Sequence, residues 1–280
     1  MKTRIIVDST CDLLPEQKSR VHVVPLTVHF GQEEYVDGIT IDHKSFYDKL
    51  VNSAVHPSTS QAPPAAFAAQ YEQAKAAGDS AVVITVASAL SGTCQSARIA
   101  AEDYDNIHVV DSQSVAIGTG ILVTLALRLL DEGLEAPAIA QRLEEEKSRI
   151  LLVARVDTLE YLKRGGRVSR SVALAGSVLN IKPVLAVRDG QITILGKARG
   201  SRQGNNLLVE QIHGAGGVDF SMPVLLGYTG INPDNLLTYI QDSRHLWQDA
   251  LESVPYTTIG SVIGTHAGPG AVAVAFFKQA

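Results

Sequence analysis

The chain repeats one pattern: a short, unbroken apolar run stops at a polar, hydroxyl-bearing loop, and a helix-forming stretch follows. Arg4–Val7 stops at Asp8-Ser9-Thr10, Ala81–Ala87 runs into the loop Ser88-Ala89-Leu90-Ser91-Gly92-Thr93, and Ile107–Val110 stops at Asp111-Ser112. Runs that are apolar at nearly every position suit strands buried on both faces. Strands alternating with helices then predict a mainly parallel sheet flanked by helices. The helices are expected at Asp42–Val51, from the end of the loop His56–Pro64 to Ala77, from Thr93 to about Tyr104, at Val115–Leu130 and at Pro137–Lys147. Val21–Phe30, rich in β-branched residues and closed by Gly31, and Ile150–Val156 read as further strands.

From Asp157 the texture changes. Pro183–Val187 and Gln191–Lys197 flank Asp189-Gly190, a strong hairpin signal. A helix, a strand at Val224–Tyr228, another helix and a β region at Thr257–Phe277 follow. The expected fold class is α/β: an N-terminal domain over residues 1–157 with a mainly parallel sheet flanked by helices, and a C-terminal α+β domain over residues 158–280.

Composition excludes several function classes. The 280 residues are 45% hydrophobic and 19% charged, a globular mix, and the net charge of −5 gives no general attraction to nucleic acid or anionic membrane. Two cysteines, Cys11 and Cys94, provide neither a disulfide framework nor a cysteine zinc site, and both are expected to be reduced. The longest apolar stretch, Val115–Leu127, falls short of the roughly 20 residues that span a bilayer. The run after Met1-Lys2-Thr3-Arg4 is too short for a signal peptide, so a cytoplasmic protein with at most transient membrane contact is expected.

In open parallel sheets, ligands bind beyond the carboxyl ends of the strands, where these hydroxyl-rich loops should gather. Each loop alone is more often a turn or helix cap. Together they imply a rim of hydroxyls and backbone N–H groups, with a helix start after Ser91-Gly92-Thr93 that would favour an anionic group. The segment Ile259–Gly270 holds four glycines around His266, on what reads as a strand and a tight turn. Glycine there marks close approach of another backbone or a ligand; a buried, backbone-bonded histidine is the alternative. Arg155, Lys163, Arg164, Arg167, Lys197, Arg199 and Arg202 are basic candidates that form either a solvated face or a contact for an acidic partner or a phosphate.

Six segments, in order, carry a resemblance: Val7–Leu13, Thr59-Ser60-Gln61, Leu90–Thr93 with Gln95-Ser96-Ala97, Tyr161–Arg167, Ile181-Lys182-Pro183 and Gly264–Gly270. The chain resembles the DegV family across nearly its whole length, with Ala62 standing where the family usually has proline after the Thr-Ser-Gln triplet. That resemblance implies a two-domain carrier holding one long-chain fatty acid in a buried tunnel, with no other cofactor and no metal. It implies that Thr59, Ser60, Ser91, Gly92, Thr93 and His266 hold the carboxylate, and that Arg167 and Arg202 contact the headgroup or a partner. It also implies a separate ATP-dependent fatty acid kinase subunit, which would phosphorylate the presented carboxylate. The chemistry agrees, since a carboxylate removed from water needs several hydrogen-bond donors, or it takes up a proton.

The competing expectation is a serine-dependent lipid hydrolase or another small-molecule enzyme, with Ser91 as nucleophile. The G-x-S-x-G elbow is absent, because Ser261 in Gly260-Ser261-Val262-Ile263-Gly264 stands one place too early. A nucleotide site of the chain's own is also missing: Gly190 to Gly196-Lys197 has the wrong spacing and ends in Ala198. Gly268-Pro269-Gly270-Ala271-Val272-Ala273 mimics a dinucleotide fingerprint, but too little chain follows it for a βαβ unit.

Overall fold

In a computed structural model, described over residues 2–168, 180–247, 249–250 and 252–279, the chain forms three sheets. The first two strands and the first helix are β1 (Thr3–Asp8), α1 (Pro15–Lys18) and β2 (His22–Val24). Next come β3 (Thr27–Phe30), β4 (Glu33–Val36), α2 (His43–Asn52), β5 (Ser58–Ser60), α3 (Pro64–Ala77), β6 (Ser80–Thr85), α4 (Thr93–Ala101), β7 (Ile107–Asp111), α5 (Ile117–Asp131) and α6 (Ala136–Glu146). The later elements are β8 (Ile150–Arg155), α7 (Glu160–Arg164), β9 (Ile181–Arg188), β10 (Gln191–Arg199), α8 (Gly200–Gly214), β11 (Leu225–Tyr228), α9 (Asp234–Asp242), β12 (Tyr256–Thr258), α10 (Ser261–Ala267) and β13 (Val272–Phe277).

The first sheet has the order β2-β1-β6-β7 with every pairing parallel, as the alternating pattern predicts. Every residue of β6 is buried. Its Ala81 and Val83, with Ile6 of β1, pack against Phe67 and Tyr71 of α3, while Val82 and Ile84 face Ile121 of α5 and Ile139 of α6.

The second sheet, β10-β9-β8-β13-β11-β12, is mixed. One of its faces packs on α8 and α9; the other, with Leu152, Leu185 and Ala275, shares a single core with α5. Helix α5 therefore lies between the two sheets, which is why its sequence is apolar nearly all round. The expected boundary near residue 157 follows β8, whereas sheet membership changes earlier, between β7 and β8. The Asp189-Gly190 turn forms as read, with φ of 49° and 76°, and the Gly190 N–H donates to the Gln113 carbonyl of the first sheet's strand-end loops at 2.8 Å.

Three local readings change. Val21–Phe30 is two strands, β2 and β3, that belong to different sheets, since the chain turns away at Pro25. The loop His56–Pro64 contains a strand, β5, that pairs with β3 in the third sheet, β4-β3-β5. The region Thr257–Phe277 is not continuous β: β12 and β13 enclose helix α10, so His266 stands on a helix. Gly264 explains the packing there, because any Cβ at that position would overlap the Tyr47 hydroxyl and the Phe46 ring. Among the described residues, no helix is long and apolar enough to cross a membrane.

Candidate functional site

A cavity of about 380 Å³ lies where the second sheet meets the strand-end loops of the first. Its apolar wall comes from Leu152, Ala154 and Val156 of β8 and just beyond, Leu185 and Val187 of β9, and Ala273 of β13. Val86 and Ala116 close it from the first sheet's side, and Val262 and Ile263 of α10 from another. The volume falls within the range of small-molecule sites, and the lining matches their usual chemistry, mostly apolar with a few converging polar groups.

Those polar groups meet through direct contacts. Thr59 Oγ1, on β5, lies 3.0 Å from His266 Nε2, on α10. Gly165, at the end of α7, sits against the other ring nitrogen so closely that a Cβ there would overlap His266 Nδ1. Arg167 Nη1 donates to the Gly165 carbonyl at 2.7 Å, and its Nε donates to the Leu90 carbonyl at 3.2 Å, beside Ser91. Thr59, Ser91, Gly92, Arg167 and His266 all line the cavity.

Burial, with the positive charge of Arg167 and the neighbouring His56 adding to it, lowers the His266 pKa to about 4. The imidazole is therefore neutral near pH 7. Among the described residues its Nδ1 is buried without a hydrogen-bond partner. A proton on Nε2 sits on the one nitrogen that has a partner, leaving Nδ1 as an acceptor lone pair. An Nε2–H of this kind donates to Thr59 and can also donate to an anionic oxygen placed beside it.

The other expected residues take different places. Ser60 touches the cavity, but its hydroxyl pairs with His29 Nε2 at 2.8 Å. Thr93 is fully buried behind the wall, where its hydroxyl lies 2.9 Å from that of Ser91 and holds it in place. Arg202 is exposed on α8 and does not line the cavity. The solvated-face reading fails for Arg155, which is completely buried beneath α8 and donates to the Ser201 carbonyl at 3.3 Å. The loop acids act as caps. Asp8 accepts from the Thr10 N–H and hydroxyl and from the Val86 N–H, and Asp111 accepts from the N–H groups of Ser88 and Gln113. Cys11 and Cys94 are free thiols whose pKa values burial raises.

Sequence reasoning passed over Gln61 and Gly165. Gln61 lines the cavity, donates to the Ser96 hydroxyl at 2.9 Å and fills the space beside Gly92. Their places in the Thr-Ser-Gln triplet and in the segment Tyr161–Arg167 were the available signals, but nothing local tied Gly165 to a histidine about a hundred residues away. Ser91 pairs with Thr93 and His266 with Thr59, so the geometry gives no Ser91–His266 contact of the kind an activated nucleophile needs.

The family model described as "Uncharacterised protein, DegV family" matches residues 2–279. The chain belongs to the DegV family. A DegV domain-containing protein of Deinococcus radiodurans is 36% identical over 98% of both chains. Among solved structures, one described as fatty acid binding of a DegV family protein from Thermus thermophilus superposes with a TM-score of 0.88 at 31% identity, covering all of both chains. The Streptococcus pneumoniae fatty acid kinase (Fak) B3 protein, loaded with linoleic acid, shares the fold with a TM-score of 0.86 at 22% identity, again over both whole chains. The α/β architecture with a parallel sheet and a separate mixed sheet is thus that of DegV structures.

Proposed function

We propose that this protein binds one long-chain fatty acid, with the acyl tail in the cavity between the two sheets and the carboxylate at the Thr59–His266 contact. The observation that carries the reading is the division of one cavity into an apolar body and a polar end, where a neutral imidazole, two hydroxyls and a guanidinium converge. The fatty acid carried by the Thermus thermophilus relative supports it.

The tail supplies affinity. Each buried methylene contributes roughly 0.8 kcal/mol, so fourteen of them would give roughly 11 kcal/mol before the cost of ordering the chain. The head supplies orientation. Hydroxyls of Thr59 and Ser91 and the His266 Nε2–H donate to the carboxylate, and Arg167 balances its charge. Gly92 is the N-cap of α4, so the positive end of that helix adds to the same field. With these donors the carboxylate stays ionised although it is withdrawn from water.

A carboxylate held in this way is presented rather than consumed. In the same reading, a separate ATP-dependent kinase subunit delivers the phosphoryl group, the chain's part being to fix the acceptor oxygen for in-line attack. Arg202, exposed on α8, is a candidate contact for that partner. The fatty acid kinase B3 protein, a structural relative, makes this the partner class to test.

Native mass spectrometry of the purified protein, followed by organic extraction, tests the binding step. One equivalent of a long-chain fatty acid per chain is expected. A protein that comes empty and takes up neither oleate nor palmitate overturns the proposal.

A further inference from the structure

Helix α10 belongs by connection to the second sheet, since it links β12 to β13. By contact it bridges both halves: besides α7, its neighbours include α2, β3 and β5 of the first half of the chain. His266, near its C-terminal end, meets Thr59 of β5 only if the whole helix is held in that foreign seat. Three contacts hold the opposite end. The Gly260 N–H donates to Asp12 Oδ1 at 2.8 Å, the Ser261 hydroxyl donates to the Asp37 carboxylate, and the Tyr47 hydroxyl donates to the Ile259 carbonyl at 3.1 Å. The partners in each pair lie more than two hundred residues apart in sequence.

Two of these three acceptors are buried acids, Asp12 7% and Asp37 8% exposed. Burial raises both pKa values, and the charges of Asp37 and Asp8 raise that of Asp12 further. An asparagine or serine caps a helix at far lower desolvation cost. What each acid supplies, in either protonation state, is a buried acceptor oxygen whose loss leaves the donor at the helix start unpaired. Inside α10 the Thr265 hydroxyl bonds back to the Ser261 carbonyl at 2.9 Å, tying the turn that carries His266 to the clamped residue.

We propose that Asp12 and Asp37 are positioning residues for His266, clamping the start of α10 so that Nε2 stands at Thr59 and meets the ligand carboxylate. The inference rests on the fatty-acid reading above. A clamp that only stabilises the fold would act independently of His266, whereas a positioning clamp acts through it.

The test is a double-mutant cycle read as oleate affinity. Asp37→Ala is expected to weaken binding by about 10-fold in the otherwise unchanged protein, and by less than about 2-fold in a His266→Ala background. Asp37→Asn, which keeps an acceptor oxygen for Ser261, should stay within about 3-fold of the parent. Equal losses in both backgrounds overturn the proposal. If Asp37→Ala does not fold, Ser261→Ala removes the same hydrogen bond from its other side, and the same two outcomes decide. A parent protein that takes up no oleate defeats the fatty-acid reading instead. Positioning is then read from the His266 Cε1–H resonance, which Asp37→Ala must shift and Asp37→Asn must leave in place; an unmoved resonance in Asp37→Ala overturns it.

Discussion

Thr59 Oγ1 and His266 Nε2 stand 3.0 Å apart although 207 residues separate them in the chain. One lies on an edge strand of the small third sheet and the other on a helix tethered to the second sheet, so this contact joins the two halves of the molecule in the lining of the apolar cavity. Thr59→Val keeps the shape and removes the hydroxyl. Losing one hydrogen bond to a charged group costs about 1.5–3 kcal/mol, so oleate affinity is expected to fall roughly 10- to 100-fold while the melting temperature changes little. Unaltered affinity in a titration would place the carboxylate elsewhere.

Gly165 offers a sharper test of the same site. Its backbone, at φ −72° and ψ −7°, suits any residue, so Gly165→Ala introduces no backbone strain. The added methyl overlaps the imidazole and comes within 3.2 Å of the Tyr161 carbonyl oxygen. Affinity for fatty acid should drop by about 10-fold or more, since about 1.4 kcal/mol of lost head contact is enough. Circular dichroism is expected to stay native, and a variant that binds like the parent would remove His266 from the head group's contacts.

The low pKa of His266 makes a prediction about acid. The folded protein holds this ring neutral down to about pH 4, while the unfolded chain protonates it near 6.5. Unfolded protein therefore binds more protons in that window, and stability falls as pH falls from about 6.5 to 4, by up to about 3 kcal/mol from this group. His266→Gln should flatten that part of the profile in urea denaturation of fatty-acid-free protein. An unchanged slope would mean that the ring is more solvated than its burial indicates.

The buried acids act with the opposite sign. Burial raises the pKa values of Asp8, Asp12 and Asp37, and the charge of Asp37 adds to the rise at Asp8 and Asp12. The unfolded chain ionises them near pH 3.8, ahead of the folded protein. Their contribution is complete below that value and is lost as pH rises towards their folded pKa values. Asp12→Asn keeps an acceptor for the Gly260 N–H, and should make stability fall less steeply above pH 4 in thermal melts. A slope identical to the parent's would show that Asp12 is ionised as readily as a surface acid.

Tail length should respond to two alanines. Ala154 and Ala273 are direct cross-strand partners, and both line the cavity. Leucine at either position fills space that the acyl chain needs. Shortening the usable tail by two methylenes costs about 1.6 kcal/mol, so the preference for an eighteen-carbon over a twelve-carbon acid should fall by about 10-fold. Competition binding with the two acids measures the ratio, and an unchanged ratio would route the tail past a different wall.

Much of the parallel sheet could be read directly, because β6 is buried throughout, β1 and β7 are largely buried, and each carries a mostly apolar run with a helix after it. The Asp189-Gly190 hairpin was equally readable, since its two positive φ angles are a local requirement that this dipeptide meets. Thr59, Ser91, Gly92 and His266 could be named from their segments, but the place of Arg155 could not. A lone arginine at the end of a strand carries no local mark that α8 will cover it.

Sequence by itself determined which segments are buried, where the tight turns fall and which short motifs hold the polar groups, because each depends on residues adjacent in the chain. The tertiary structure alone decided that Ser58–Ser60 is a strand and that Ser261–Ala267 is a helix. Neither has a hydrophobic period long enough to show, and glycine at 264 costs a helix about 1 kcal/mol. What stabilises them is distant: β3 for the strand, and Asp12, Asp37 and Tyr47 for the helix. The contact between Thr59 and His266 inherits that dependence, since a hydrogen bond between two halves of a molecule exists only once both have packed.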